Sequence, residues 1–379
     1  MKKPFTRFVG RIASAGLSVL VLAGSCAKPL LIEEPSGADG GDEDLVTVTF
    51  SVGEGPSTRS TGVTDALERK IDRWALFVFD TASGWFTRES SSTGGSIPVT
   101  LRAGRRYDCH AMVNYATTGA GAFNPGSVRA PSDLTGKVAY LSDNAVGSLL
   151  MYGRAEITPA VADYDPQAHV PPAAETRSIN VRRIVSRVDV RSVAVDFSGN
   201  PSLASKTFTL RHIYMTNIYR TTRYSSDYTL LELSGSRSSW YNSCGWHGGE
   251  PGEAAIDALV GDRDINAVIT PGNPHTAVHS FYVFPNCTPK AADTHETGLW
   301  GIRCTRIILE ATIDGDTLYY QVDVPAMERN HIYSASSITI RGRGSRDPEA
   351  VAIDPDAVEV TFSVSDGGWE GPENVLENS

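Results

Sequence analysis

Long apolar runs are scarce in this chain of 379 residues. The one clear run, Ile12–Leu22, is too short and wrongly flanked for a helix that crosses a membrane. Positive charge is also in short supply. Lys and Arg number 34 against 44 Asp and Glu, a net charge of -10, which argues against a nucleic-acid surface. Signatures of catalysis are missing as well: there is no HExxH, CxxC, GxSxG, P-loop or dinucleotide fingerprint. His275 and His279 have HxxxH spacing, but Pro271, Gly272 and Pro274 speak against the helix that would put both on one face. Asp262-Arg263-Asp264 has the acids of a calcium loop without its Gly and distal Glu. Cys244, Trp246 and His247 share a Gly-rich loop with no spacing of nucleophile and base. No catalytic residue, cofactor or metal is expected, and few segments read as helix.

What is present begins with a targeting segment. Lys2, Lys3, Arg7 and Arg11 form a basic start, and Ala23-Gly24-Ser25 leads directly into Cys26. Residues 1–25 look like a bacterial lipoprotein signal, cut before Cys26 with a lipid placed on its sulfur. Residues 26–44 read as an acidic flexible tether. Removing a signal with four basic and no acidic residues takes the net charge from -10 to -14. Four cysteines then remain, with three possible connectivities in an exported protein. Cys109 alternates with Tyr107, Ala111 and Val113 and reads as a buried thiol, and Cys287–Cys304 is the expected pair.

Strand patterns fill the rest. The period-two alternation and turn residues predict strands at Arg73–Asp80, Ile97–Leu101, Tyr107–Tyr115, Leu149–Ile157, Ile179–Phe197 and Phe208–Tyr219. They predict more at His279–Phe284, Arg306–Ile313, Thr317–Val324, Ile332–Arg341 and Val358–Val364. Thr117–Gly147 reads as an excursion with at most one short helix, Tyr164–Thr176 as a Pro-rich loop, and Ala254–Val260 as a turn or two of helix in a long insertion. Many short strands between Gly and Pro turns point to an all-β protein of two β-sandwich domains. The expected division is 45–178 and 179–345, followed by a C-terminal segment 346–379.

One strand occurs twice. DLVTVTFSVGEG at Asp44–Gly55 and DAVEVTFSVSDG at Asp356–Gly367 align without a gap. Val46, Val48, Phe50 and Val52 share one face of the first, and Val358, Val360, Phe362 and Val364 one face of the second. Composition alone can make two strands alike, but two strands with the same knobs can also fill the same groove.

The order of segments resembles the FimA/minor-fimbrillin superfamily of Bacteroidales, subunits of pili matured by proteolysis. The likeness is carried by the lipobox at Cys26, the strand Val46–Val52, Ser57-Thr58-Arg59-Ser60-Thr61-Gly62 and WALFVFD at Trp74–Asp80. It continues through LRAGRRYDCHAMVNY (Leu101–Tyr115), LLMYGRAEI (Leu149–Ile157), VRRIVSRVDV (Val181–Val190) and FTLRHIYMTNIY (Phe208–Tyr219). SFYVFPN (Ser280–Asn286) and YYQVDVPAMERNHIY (Tyr319–Tyr333) complete the set.

The resemblance implies two transthyretin-like β-sandwiches in tandem and assembly by donor-strand exchange. It implies export to the outer membrane as a lipoprotein, then cleavage by an arginine-specific surface protease between Arg59 and Ser60. The removable strand is then 45–52 and the donor strand carries Val358, Val360, Phe362 and Val364. Partners are other fimbrial subunits, in a homo- or hetero-polymer that serves adhesion from a cell-surface fimbrium. Burying the four apolar residues of the first strand is worth on the order of 6–12 kcal/mol as an upper estimate, comparable with the roughly 5–15 kcal/mol of a whole domain. Two departures, the polar tail Gly368–Ser379 and the Arg220–Asn273 insertion, fit an accessory or tip subunit as well as a stalk subunit. The alternative reading is a glycan-binding outer-membrane surface lipoprotein that stacks sugars on Trp240, Tyr241 and Trp246, although aromatics in a loop more often anchor the loop itself.

Overall fold

The computed structural model describes residues 45–53, 63–91, 95–160, 175–225, 239–243, 247, 254–294, 302–350 and 357–365. Asp44–Ser379 forms one compact unit that holds every element named below. The first elements are β1 (Leu45–Gly53), α1 (Val63–Glu68), β2 (Trp74–Asp80), β3 (Phe86–Ser91), β4 (Ile97–Arg102), β5 (Tyr107–Val113) and α2 (Pro131–Thr135). Next come β6 (Val138–Tyr140), β7 (Met151–Ile157), β8 (Glu175–Asn180) and β9 (Arg182–Arg183). Then follow β10 (Ser186–Val190), β11 (Val193–Val195), β12 (Phe208–Thr216), β13 (Ile218–Tyr219), β14 (Thr221–Arg223), β15 (Trp240–Tyr241) and α3 (Ala254–Val260). The last are β16 (Gly261–Asp262), β17 (Ala267–Ile269), β18 (His279–Val283), β19 (Arg306–Ile313), β20 (Asp316–Asp323), β21 (Ile332–Ile340) and β22 (Val358–Ser365). The fold is all-β.

β2 explains the first layers. Every residue of WALFVFD is buried, because the strand carries apolar side chains on both faces. Trp74, Leu76 and Val78 enter one core with Val46, Val48, Phe50, Tyr107 and Cys109. Ala75, Phe77 and Phe79 enter the other, larger core. The sheet β3-β2-β5-β7-β9 is thus a middle layer, and the sheet β4-β1-β8 covers one of its faces. The expected excursion covers the other: Phe123, Val128, Leu134 and Leu141 pack there, with Phe123 edge-on to Phe77 at 5.9 Å. It holds α2, two turns of 3-10 helix and β6.

The larger core also fills the space between a second pair of sheets. One has the order β11-β21-β10-β18 with β22 on β21, the other β16-β12-β19-β20 with β17 on β12. Val188, Val190, Phe281, Ala335, Ile338 and Ile340 meet Phe208, Leu210, Leu309, Ala311 and Tyr320. β19 and β20 form a hairpin closed by Asp314 and Gly315, both at positive φ (53° and 85°). Asp-Gly is the pair that supplies the left-handed geometry this tight turn requires.

Two expectations change. Ile179–Phe197 is not one strand but the end of β8 followed by β9, β10 and β11, spread over three sheets. Ile184 and Val185 are buried side by side, which breaks the alternation where the chain crosses between sheets. β3 was not expected, since FTRESS is too polar to read as a strand. Among the described strands it pairs only with β2, at a sheet edge, where charged residues discourage further pairing. Of the expected Pro-rich loop, residues 164–174 lie outside the described residues, and Glu175–Thr176 already belong to β8. Among the described residues no helix is long and apolar enough to cross a membrane.

Candidate functional site

β1 occupies the centre of its sheet. Its first half runs antiparallel to β4, with Val46 opposite Leu101, Val48 opposite Val99 and Phe50 opposite Ile97. Its second half runs parallel to β8, with Phe50 opposite Arg177 and Val52 opposite Ile179. Val46, Val48 and Phe50 are 6%, 0% and 0% exposed, while Val52 is only half-buried at the rim. Three closed side chains are worth roughly 4.5–9 kcal/mol as an upper figure. Thr47 faces outward. Where the strand ends, a Cβ on Gly53 would sit 2.9 Å from Ser178 Oγ, so β1 and β8 approach closely there.

β22 sits differently. Among the described strands it pairs only with β21, as an antiparallel edge. Val358, Val360 and Phe362 are half-buried against the larger core, and Val364 is 47% exposed. A bulge at Ser336 keeps the apolar faces together. Phe362 lies opposite Ala335, Val360 opposite Ile338 and Val358 opposite Ile340. One extra residue in β21 thus moves its buried set from odd to even positions while β22 alternates unbroken. Ser336 Oγ donates to the Thr361 carbonyl at 3.0 Å. Two strands with one knob pattern therefore occupy unlike seats: β1 is central and sealed, β22 marginal and partly wet.

At the end of α1 the chain is clamped. Glu68 is 0% exposed and accepts from Arg187 Nη1 at 3.0 and 3.2 Å and from the Tyr282 hydroxyl. Arg187 also grips Asp189 at 2.8 and 2.9 Å, and Ser280 Oγ donates to Asp189 at 2.7 Å. Arg183 Nε reaches the Glu68 carbonyl at 3.0 Å. None of these residues was expected at a site. Their signal was there: Arg187 and Asp189 have opposite charge, lie two apart, and interrupt a fully buried strand.

Asparagines hold the corners of the segments that carried the resemblance. Asn114 takes φ 56°, its Nδ2 donates to the Lys70 and Leu149 carbonyls, and its Oδ1 accepts from the Asp72 amide. Asn217 (φ 53°) donates to the Cys304 carbonyl, and Asn330 (φ 62°) accepts from the Arg183 amide. Asn tolerates this left-handed geometry better than most residues, and its amide stands in for missing backbone partners.

Cys26, Arg59 and Ser60 lie outside the described residues. The Cys287–Cys304 bridge is not formed: both thiols are free. Cys287 is exposed and directs its Sγ to the Met327 carbonyl at 3.4 Å. Cys304 is buried, its Sγ 2.9 Å from Asp293 Oδ2 inside the Arg306, Asp293 and Asp323 cluster. Cys109 is buried in the first core, as expected. Trp240 and Tyr241 are not exposed loop aromatics. Both are 0% exposed, and Trp240 stacks on Tyr219 at 4.2 Å, so neither offers a face to a sugar. Trp246 lies outside the described residues.

His275 and His279 do meet, across a loop and β18. Their Nε2 atoms are 2.8 Å apart, and Asp262 Oδ2 lies 2.6 Å from His279 Nδ1. The carboxylate faces His279 Nδ1, and the two Nε2 atoms share one proton between them. Burial and the neighbouring His279 push the His275 pKa below the ordinary 6.5. Among the described residues no group of three or more His, Cys, Asp or Glu side chains is placed to hold a metal.

No protein-family model matches the sequence, and no curated protein does. Solved structures do. A candidate cell adhesion protein of Bacteroides eggerthii superposes with a TM-score of 0.57 at 15% identity, covering 88% of this chain and 98% of that one. A candidate cell adhesion protein of Parabacteroides distasonis gives 0.54 at 14% identity, over 86% and 100%. The fimbrilin FimA of Porphyromonas gingivalis gives 0.53 at 14% identity, over 85% and 97%. The class is thus an all-β sandwich fold. More narrowly, it is the fold of the Bacteroidales fimbrilins and the cell adhesion proteins similar to them.

Proposed function

We propose that this chain is the precursor of a fimbrial subunit with a structural, non-enzymatic role in adhesion. It is exported as a lipoprotein on Cys26, cleaved after Arg59 by an arginine-specific surface protease, and polymerised by donor-strand exchange. One observation carries this reading. The knob pattern of the sealed central strand β1 recurs in β22, a half-buried strand at the edge of another sheet. Taking β1 away opens a groove between β4 and β8 whose loss of apolar contact rivals the stability of a domain, so the groove must be refilled. The fold shared with FimA supports the same reading.

The test is the N-terminus and intact mass of the protein taken from the bacterial surface. Cleavage and polymerisation together predict a chain that starts at Ser60, in material that ladders after mild heating. A monomer that starts at lipidated Cys26 counts against both.

A further inference from the structure

We infer that His275 and His279 form a two-imidazole site for a divalent transition-metal ion, Cu(II) or Ni(II), with Asp262 orienting the second ring from behind. The site lies apart from the β1 seat and does not depend on the strand-exchange reading.

Three elements bring the groups together. Asp262 ends β16, His279 opens β18, and His275 stands in the loop between β17 and β18. The loop is held at His275 itself. Its amide donates to the Val193 carbonyl at 2.8 Å, and its carbonyl accepts from the Val193 amide at 2.9 Å. His279 lies opposite Val190 in the β10–β18 ladder. Both backbones are thus fixed by hydrogen bonds to a sheet, and the HxxxH spacing brings two imidazoles together without a helix.

The side chains have the chemistry of an ion site. The two Nε2 atoms face each other 2.8 Å apart, with ring centroids at 5.1 Å. A neutral imidazole carries its one proton on either nitrogen. Passing the shared proton to His275 Nδ1 leaves both Nε2 lone pairs for an ion. A ligating imidazole ordinarily donates its other ring N–H to a carboxylate, which orients the ring and raises its basicity. Asp262 Oδ2, 2.6 Å from His279 Nδ1, is placed for that role.

Distance selects the ion. At metal–nitrogen distances of about 2.0–2.1 Å, nitrogens 2.8 Å apart subtend close to a right angle. That is the angle between neighbouring ligands of a tetragonal Cu(II) or Ni(II) ion. A tetrahedral Zn(II) would need the nitrogens roughly half an ångström further apart. For the lone pairs to converge a ring must turn. His279 is buried against Asp262, so the turn falls to His275, half-buried in its loop. Among the described residues the charges that bear on His275 are His279 and Asp262, with no guanidinium or ammonium to oppose an ion. Two protein ligands leave the other positions to water, which makes the ion exchangeable rather than a requirement for folding.

The test titrates Ni(II) and Cu(II) by calorimetry into the full chain, stripped of metal, at neutral pH. One site is expected, indifferent to excess Ca(II), which prefers oxygen ligands. His275→Ala is expected to abolish it. Asp262→Asn keeps both rings but loses the charge behind one, and is expected to weaken binding by about 10–100-fold. Circular dichroism identifies any variant that has unfolded. Spin-echo spectra of Cu(II) on the wild-type chain are expected to show two imidazoles, a readout that needs no variant. No binding by the wild-type chain, a spectrum with fewer than two imidazoles, or displacement by Ca(II) overturns the inference. So does equal binding by the wild-type chain and a folded His275→Ala variant. Unchanged affinity in Asp262→Asn overturns the part given to Asp262.

Discussion

The Glu68 carboxylate lies 3.0 Å from Arg187 Nη1, although 119 residues separate the two along the chain. The contact joins the end of α1 to β10 in the interior. Two charges buried in this way must be satisfied by each other and by the Tyr282 and Asp189 groups around them. The stretch that follows the proposed cleavage site is therefore fixed to a sheet other than the one that would lose β1.

Breaking one side of that pair is expected to be costly. Glu68→Ala removes a carboxylate from the buried Arg187 guanidinium and should lower stability by about 3–5 kcal/mol. Replacing both Glu68 and Arg187 with apolar residues of similar volume should cost much less than the sum of the single changes. Urea unfolding of the three variants checks this; additive losses would refute coupling.

The two like strands should respond unequally to truncation. Phe50→Ala opens a void in a closed site and should cost about 3–5 kcal/mol in the precursor. Phe362→Ala removes a half-buried ring at an edge and should cost roughly a third as much. Val360→Asp with Phe362→Asp should leave folded monomers that do not polymerise, read by electron microscopy of surface material. Intact fibres from that double variant would remove β22 from the assembly.

Stability should fall on mild acidification. His247 is pushed down to about 4 by burial and by the Arg263 charge, and His275 is also held below 6.5. Their folded values lie below the unfolded ones, so the unfolded chain binds more protons between them. Stability is then present above about pH 6.5 and lost as pH falls towards about 4. Asp108, at about 2 beside His110 and Arg154, acts only below its unfolded value of 3.8. Denaturant midpoints at pH 7.5 and 4.5 should separate, and His247→Gln should narrow the gap. Equal midpoints in the wild-type chain would contradict the assignment.

Thiol reactivity should follow burial. Cys287 is expected to react with iodoacetamide in the native protein, and Cys109 and Cys304 only after unfolding. Burial drives the pKa of Cys304 upward, which slows it further. Peptide mapping of the labelled sites, with and without reductant, checks this; a peptide joined through Cys287 and Cys304 would restore the disulfide.

Much of the fold was legible because its strands alternate or run apolar on both faces. WALFVFD, RIILEATI and the two like strands were placed from the pattern alone. β3 was not, because FTRESS carries a single apolar side chain, Phe86, which gives no alternation to read. The break after Ile179 was hidden because apolar residues recur through VRRIVSRVDV while the chain changes sheets. Trp240 and Tyr241 were misplaced for another reason: β13 and β15 form a two-residue pairing too short for any period to show. The ion cluster depends on residues 68, 187 and 282 meeting, which no local window contains. For the site, the like strands were visible as a repeat, but their unlike seats were not, since seating depends on which neighbours pair.

The seat between β4 and β8 also decides how a strand placed there carries load. A pull along its length is taken by two ladders at once, one antiparallel and one parallel, whose paired residues overlap at Val48–Phe50. Such a strand is gripped on both sides over Val48–Phe50 and by opposite neighbours at its two ends, so both ladders must slip for it to leave. A strand held as β22 is held on β21, by one ladder at an edge, can open bond by bond from its tip. Moving the same seven-residue pattern from the second seat to the first turns a joint that unzips into one that has to be sheared.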